Sequence, residues 1–186
     1  MPSTNTDTEL EIALEYNDLR WLVAELRSDH AGEMGAVAIY QGILKVTHDD
    51  ALQQFAQRHL QTEKHHLAKI SALLPAADQS RLLPIWRVAG FLTGAIPACF
   101  GPAAVFITID AVETFVESHY LSQIKRLADH GECEVRELLS SCLRDEVEHR
   151  DEARHLSPHE IGLIGRSWQR LVGTGSNFAV SLARRF

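Results

Sequence analysis

A chain of 186 residues with 45% apolar residues is long enough for one domain with a full core. Its formal net charge of −7 provides no basic field to displace counterions, which argues against a nucleic-acid binder. Cys99, Cys133 and Cys142 form no Cys-x-x-Cys, and their odd number fits free thiols in a reducing compartment.

The polar opening Met1-Pro2-Ser3-Thr4-Asn5-Thr6-Asp7 reads as neither a secretory signal nor a transit peptide. Residues 1–16 are expected to form a flexible arm or a short extra turn, ahead of a single domain over 17–186. From about Asp18 to Val46, apolar Leu22, Leu26, Val37, Tyr40 and Leu44 recur at helical spacing. This helix carries Glu33 in the run Asp29-His30-Ala31-Gly32-Glu33. Gly32 weakens a helix, so its place beside Glu33 predicts the close approach of another backbone or of a metal. Thr47 and Asp50 are expected to cap a second helix over about 49–74, which Pro75 ends.

Residues 75–101 are too many for a hairpin and predict a long crossover between two helical halves. From Val88 to Ile109 the chain runs without a charge. Three readings are open for this run: a membrane span, buried core, or a surface that faces a membrane. Pro97, Pro102, Gly90, Gly94 and Gly101 interrupt it, and Trp86 and Arg87 at its start suit an interface, which favours the last. Gly101-Pro102 opens a helix to about His130, with Glu113, Glu117 and Tyr120 on one face. A helix over about 132–156 follows. Ser157-Pro158-His159-Glu160 has the form of a capping box and predicts a last helix to about 183. After Glu160 there is no acid, while Arg166, Arg170, Arg184 and Arg185 are present. That basic, amphipathic end is suited to an anionic lipid surface, or to packing with its arginines solvated.

Glu63-Lys64-His65-His66 and Asp145-Glu146-Val147-Glu148-His149 each contain Glu-x-x-His. Residues three apart on a helix share a face, so carboxylate and imidazole can grip one cation. In carboxylate bundles two such pairs and a lone Glu from each of two other helices hold two irons. Glu33 and Glu113 are placed to be the lone pair. The motif alone is weak, since roughly one match is expected by chance in this composition. A third match, Glu152 with His155, lies roughly 240° around the helix from Glu146 and reads as a solvated face. Depth separates the others. With turns near His48 and Gly131, Glu33, Glu63, His66, Glu113, Glu146 and His149 all fall roughly 23–27 Å from their turns. Surface ion pairs have no reason to be level. The expected fold is therefore all-α: a ferritin-like four-helix bundle with a long apolar crossover and an additional C-terminal helix.

At these residues the chain resembles the demethoxyubiquinone hydroxylases of coenzyme Q biosynthesis. The likeness runs through Asp29-His30-Ala31-Gly32-Glu33, Glu63-Lys64-His65-His66-Leu67, Pro84-Ile85-Trp86, Val112-Glu113, His119-Tyr120 and Asp145 to Asp151. It spans roughly residues 20 to 186, with Met34, Ile43 and Thr114 as departures outside the ligand set. The resemblance implies iron ligands at the same six residues. It also implies O₂-dependent hydroxylation of a polyprenyl benzoquinone, with NADH as electron source. A peripheral position on the cytoplasmic or matrix-equivalent membrane face follows from such a substrate, as a homo-oligomer or in a biosynthetic complex. His119 or Tyr120 is then placed to hydrogen-bond a ligand carboxylate or relay a proton, with Tyr120 as plain core the alternative. The rival functions are an oxidase or peroxidase without an organic substrate and a non-enzymatic scaffold for lipid handling.

Overall fold

The computed structural model describes residues 4–130 and 133–186, with side chains over 20–128 and 134–186. Its helices are α1 (Thr4–Val46), α2 (Asp50–Leu73), α3 (Leu83–Ala98), α4 (Pro102–His130), α5 (Cys133–Leu156) and α6 (Leu163–Ala183). A 3₁₀ turn over Ala76–Asp78 follows α2. Among the described residues there is no strand, as the sequence period requires.

Two hairpins build the bundle: α1 packs on α2, α4 on α5, and α2 meets α5. Asp49 caps α2, its carboxylate accepting from Leu52 N at 2.8 Å, while Thr47 Oγ1 accepts from Asp49 N at 3.1 Å. Asp50, expected as a cap, is the first helical residue instead. The second turn, expected near Gly131, lies outside the described residues.

At the N-terminus the helix begins at Thr4, inside the segment expected as an arm. No Gly or Pro interrupts residues 4–31, so nothing local stops it. The last helix differs more. Residues 157–162 are irregular and α6 starts at Leu163 on an N-cap Gly162 without a side-chain bond. Ser157 Oγ has no partner, so the capping box is not formed. Tertiary demand explains this, because the chain must leave α5 and return onto α4. There Trp168 Nε1 donates to Thr108 Oγ1 at 2.7 Å and Gln169 reaches Asp110.

The crossover contains α3, lying along α1. Their backbones touch: a Cβ on Gly90 would collide with the Gly35 carbonyl, and one on Gly94 with that of Ile39. The uncharged run is therefore divided. Gly90, Gly94 and Ala95 face α1 and Ala98 is buried, while Val88, Phe91, Leu92 and Ile96 are exposed. After Gly101, at φ 95°, the chain turns into α4, whose Val105, Phe106 and Ile109 enter the core. Among the described residues no helix is long and apolar enough to cross a membrane.

Tyr40, Ile43, Leu52, Phe55 and Ile109 belong to one apolar cluster, and Leu127, Leu139 and Cys142 to another. Residues 33, 113 and 146–149 fall between these clusters along α1, α4 and α5, and residues 63–66 lie on α2 just past Leu60 of the first. A polar layer thus lies inside an apolar bundle.

Candidate metal centre

The helical period turns sequence spacing into geometry here. Each of α1 and α4 sends one carboxylate inward, Glu33 and Glu113, and each of α2 and α5 sends a Glu and a His one turn apart. All six are buried, none more than 5% exposed. They form two overlapping groups, Glu33, Glu63, His66, Glu146 and Glu63, Glu113, Glu146, His149. Within each group the prospective ligand atoms lie within 4.8 Å of one another. Glu63 and Glu146 belong to both.

The polar atoms at the centre lack partners that a protein would normally supply. Glu33 Oε2, Glu63 Oε1, His66 Nδ1 and His149 Nδ1 are buried without a hydrogen bond. His66 Nδ1 lies 3.0 Å from Glu146 Oε1, and His149 Nδ1 lies 3.1 Å from Glu63 Oε1, close but unbonded. Buried polar atoms left unpaired are costly, so a ligand is called for. Four carboxylates and two imidazoles suit cations of the iron or manganese type. Four anionic side chains would balance two divalent ions.

The electrostatics agree. Burial, then the charge of Glu146, lifts the Glu33 carboxyl to about 7. Burial and the same neighbour push Glu63 and Glu113 well above the ordinary carboxylate range. Burial also opposes ionisation of Glu146, but the adjacent imidazoles of His149 and His66 win and hold it at about 2. Burial would lower His66, yet Glu146 and Glu33 raise it to about 10. Protons thus occupy a centre built to hold positive charge.

Around the six lies a second set of contacts. His66 Nε2 is 2.9 Å from Asp145 Oδ2, which leaves Nδ1 aimed inward. The Tyr120 hydroxyl donates to Glu33 Oε1, and the Tyr40 hydroxyl donates to Glu113 Oε1 at 3.4 Å. Tyr120 therefore touches a predicted ligand. His119 touches none of the six: its Nε2 lies 2.9 Å from Asp29 Oδ1 and 3.1 Å from Gln123 Nε2. Gln123 Nε2 also donates to Glu25 Oε2 at 2.9 Å, and Arg184 donates to the same oxygen at 2.8 Å. Polar contacts continue in this way from α1 and α4 to the end of α6. On the opposite side the His59 ring packs edge-on against His149 at 4.0 Å, and its Nε2 lies 2.9 Å from Glu152 Oε2. Glu152, the Glu of the third motif, is thus outside the centre and also pairs with Arg58 at 2.6 Å. Glu117, expected on the face of Glu113, pairs with Arg150 instead.

Sequence reasoning missed Asp145, Asp29, Gln123 and His59. Asp145 had a signal, since it precedes Glu146 and an imidazole ligand needs an acceptor for its outer nitrogen. Asp29 and His59 had none, because their partners come from other helices, and Gln123 showed only its spacing of four from His119.

A cavity of about 420 Å³ opens onto Glu33, Glu63, Glu113 and Glu146. It lies among α1, α3, α4 and α6, and its walls include Trp86, Val112, Phe115, Trp168, Leu171 and Phe178. The size is in the range of small-ligand sites, and an apolar cavity meeting a few polar groups is their usual form.

Residues 20–183 match the family model described as "Ubiquinone biosynthesis protein COQ7". The chain is 31% identical to a relative from Dictyostelium discoideum, over 98% of this chain and 87% of the relative. That relative is named NADPH-dependent 3-demethoxyubiquinone 3-hydroxylase, mitochondrial. The protein of the same name from Rattus norvegicus is 32% identical over 87% of this chain and 76% of its own length. The 3-demethoxyubiquinol 3-hydroxylase of Rhodospirillum rubrum is 40% identical over 68% of this chain and 60% of its own length. With the match covering nearly all of its bundle, this chain belongs to the COQ7 family of ubiquinone biosynthesis proteins.

Proposed function

We propose that the chain is a monooxygenase that hydroxylates the ring of a demethoxyubiquinone-type polyprenyl intermediate, with Glu33, Glu63, His66, Glu113, Glu146 and His149 holding two irons. The observation that carries this reading is the junction of the two ligand groups with the apolar cavity. In balance, a ring C–H, O₂, two electrons and two protons give a ring C–OH and water. A reduced nicotinamide, NADH or the NADPH of the relatives' names, supplies the electrons. When bound, the iron pair would supply the activation of O₂.

The chain's own groups do the rest. Phe115, Val116 and Trp168 hold an apolar ring and exclude water from it. Tyr120 and Tyr40 fix the orientations of Glu33 and Glu113. His119, held by Asp29 and lining the cavity, is placed to exchange a hydrogen bond with a ring oxygen. Residues 17–186 form the single diiron domain, with α1 extended ahead of it.

A polyprenyl tail places its substrate in a bilayer, and the exposed apolar side chains of α3 and α6 are suited to meet it there. Val88, Phe91 and Leu92 on α3, with Leu163, Ile164 and Phe178 on α6, are all exposed. A peripheral position on the cytoplasmic or matrix-equivalent face follows, either as a homo-oligomer or within a biosynthetic complex.

The test is anaerobic reconstitution with iron, then a short-tail demethoxyquinol, reductant and ¹⁸O₂. One labelled oxygen in the hydroxylated product is expected. Turnover that ends in peroxide or water, with no labelled product from any quinol, supports an oxidase and overturns this reading.

A further inference from the structure

Along α1, small residues stand beside Asp29, Glu33 and Ile39 in the wall of the cavity that opens on Glu33. Ser28, Gly32, Gly35 and Ala36 line it along one face of α1. The Gly35 carbonyl lies against Gly90 of α3, and there it is Gly90 that must be small. Gly32 makes no such backbone contact. A Cβ built on it meets no atom within 4 Å, so of the two approaches expected from the sequence, another backbone or a metal, the backbone is not there. Gly101 is the one glycine with positive φ among the described residues, so the conformation at Gly32 does not call for glycine. Nor is it a helix end, since α1 runs on to Val46. In mid-helix a glycine weakens the element relative to alanine.

What Gly32 does provide is space, and the location of that space is informative. It is one residue from Glu33. Gly90 against Gly35 and Gly94 against Ile39 show α3 running beside α1 in the same direction. Trp86, one turn before Gly90, is therefore about level with the Ala31–Gly32 turn, and both line the cavity. We propose that Gly32 is a specificity-determining position for a substituted quinone ring. The room left by its missing side chain admits the ring's methyl and methoxy groups between α1 and Trp86, beside Glu33. This rests on the hydroxylase reading and says which ring that site selects.

The iron-loaded full chain is compared as wild type, Gly32→Ala and Gly32→Leu. Binding of short-tail quinones is followed by quenching of tryptophan fluorescence, since Trp86 and Trp168 line the cavity. Turnover, iron content and the thermal midpoint are measured in parallel. Iron content is expected to stay at the wild-type level. Gly32→Ala should raise the midpoint by about 2–4 °C, because open space allows the gain in helix propensity to show. Gly32→Leu should weaken binding of the methyl- and methoxy-substituted ring by about tenfold or more. A bare benzoquinone with the same tail should change by less than about twofold, since it does not need the space. Gly32→Ala should shift this preference in the same direction by less, and it decides the matter if the leucine variant does not fold.

A lower midpoint in Gly32→Ala would mean that a hidden contact requires the glycine, and would overturn the proposal. So would an unchanged preference between the two rings. If wild type hydroxylates the quinone while both variants discriminate as it does, Gly32's role falls alone. If wild type binds no quinone, the hydroxylase reading falls and takes this one with it.

Discussion

The outer nitrogen of His66 lies 2.9 Å from Oδ2 of Asp145, the residue immediately before Glu146. One turn of α5 thus sends a carboxylate into the centre and, with the preceding side chain, orients an imidazole from α2. With Nε2–H donated to Asp145, the lone pair of Nδ1 is free to face the centre. Asp145→Asn should weaken iron binding by about 10–100-fold while the helices remain folded. Metal titration with circular dichroism measures both. Wild-type affinity in the variant would remove Asp145 from the site.

Glu63 and Glu146 are shared by both ligand groups, whereas Glu33 and Glu113 each belong to one. Loss of a shared carboxylate should therefore cost more than loss of an unshared one. We expect Glu63→Ala and Glu146→Ala to lose nearly all iron from a wild-type content of about two per chain. Glu33→Ala and Glu113→Ala should keep about one. Equal loss in all four variants would contradict a division into shared and terminal ligands.

Tyr120 donates to Glu33 Oε1, and both groups are buried. Tyr120→Phe keeps the ring and strands the oxygen. Leaving a buried acceptor unsatisfied costs about 1–3 kcal/mol, so denaturant unfolding of the metal-free variant should fall by that amount. Turnover should drop while iron content holds, because Glu33 is still present but less well oriented. Turnover equal to wild type would reduce Tyr120 to core packing.

Much of this centre was legible because a helix converts spacing into position. Glu63 with His66, and Glu146 with His149, needed only the period of 3.6 and a common depth. The outer contacts were not legible. Gln123 meets Glu25, and Arg184 meets the same carboxylate, across sequence separations of 98 and 159 residues. Those pairings depend on how each helix is rotated, which no local pattern states. Ser157-Pro158-His159-Glu160 shows the opposite failure. The local signal for a helix start was sound, but the docking of Trp168 on Thr108 requires the helix to start later. Gly32 beside Glu33 predicts the close approach of another backbone or of a metal. A glycine in a sequence says only that a side chain is missing, and the structure shows that no other helix's backbone comes within 4 Å of that place.

The charge arrangement gives the metal-free protein a definite pH dependence. The Glu33 carboxyl stands at about 7 when folded, against 4.5 for an ordinary glutamate. Between those values the folded state holds more protons than the unfolded one, so stability falls as pH rises through the window. The shift corresponds to about 3 kcal/mol. His66, raised from 6.5 to about 10, adds a loss of the same sign above 6.5. Glu146, held at about 2, opposes this only in acid, where its contribution is lost as pH falls below 4.5. His59, lowered to about 4 chiefly by burial, opposes this trend only below 6.5, so denaturant unfolding of the metal-free chain should show stability that declines from about pH 6.5 toward pH 8. Iron replaces the protons, so the loaded chain should show a much flatter profile. A metal-free stability that rises from about pH 6.5 to pH 8 would contradict the buried carboxylates as described.

The last prediction concerns the membrane. On α3, Val88 is 61% exposed and Leu92 47%; on α6, Ile164 is 88% and Phe178 68%. Trp86 of α3 and Phe178 of α6 also line the cavity, so the apolar surface and the entrance share two helices. Burying apolar area gains roughly 25 cal/mol per Å², so a few hundred Å² would favour lipid by several kcal/mol before ordering costs. The basic contribution is narrower than the sequence implied. Arg184 is engaged by Glu25 at 2.8 Å, whereas Arg166, whose Nε donates to the neutral Ile161 carbonyl at 2.9 Å, keeps its charge. Arg166, Arg170 and Arg185 are exposed and carry most of the attraction to an anionic surface, about 1 kcal/mol each. Salt separates the two terms, because it screens charge and leaves apolar burial intact. Flotation with anionic liposomes should show binding that weakens but persists as salt rises. Replacing Phe91 and Leu92 with Ser should reduce it at every salt concentration, with iron content unchanged. Arg170→Gln with Arg185→Gln should reduce it only at low salt. Absence of any lipid binding by wild type at low salt would show that α3 and α6 meet something other than a bilayer. The polyprenyl substrate would then need a carrier to reach the cavity.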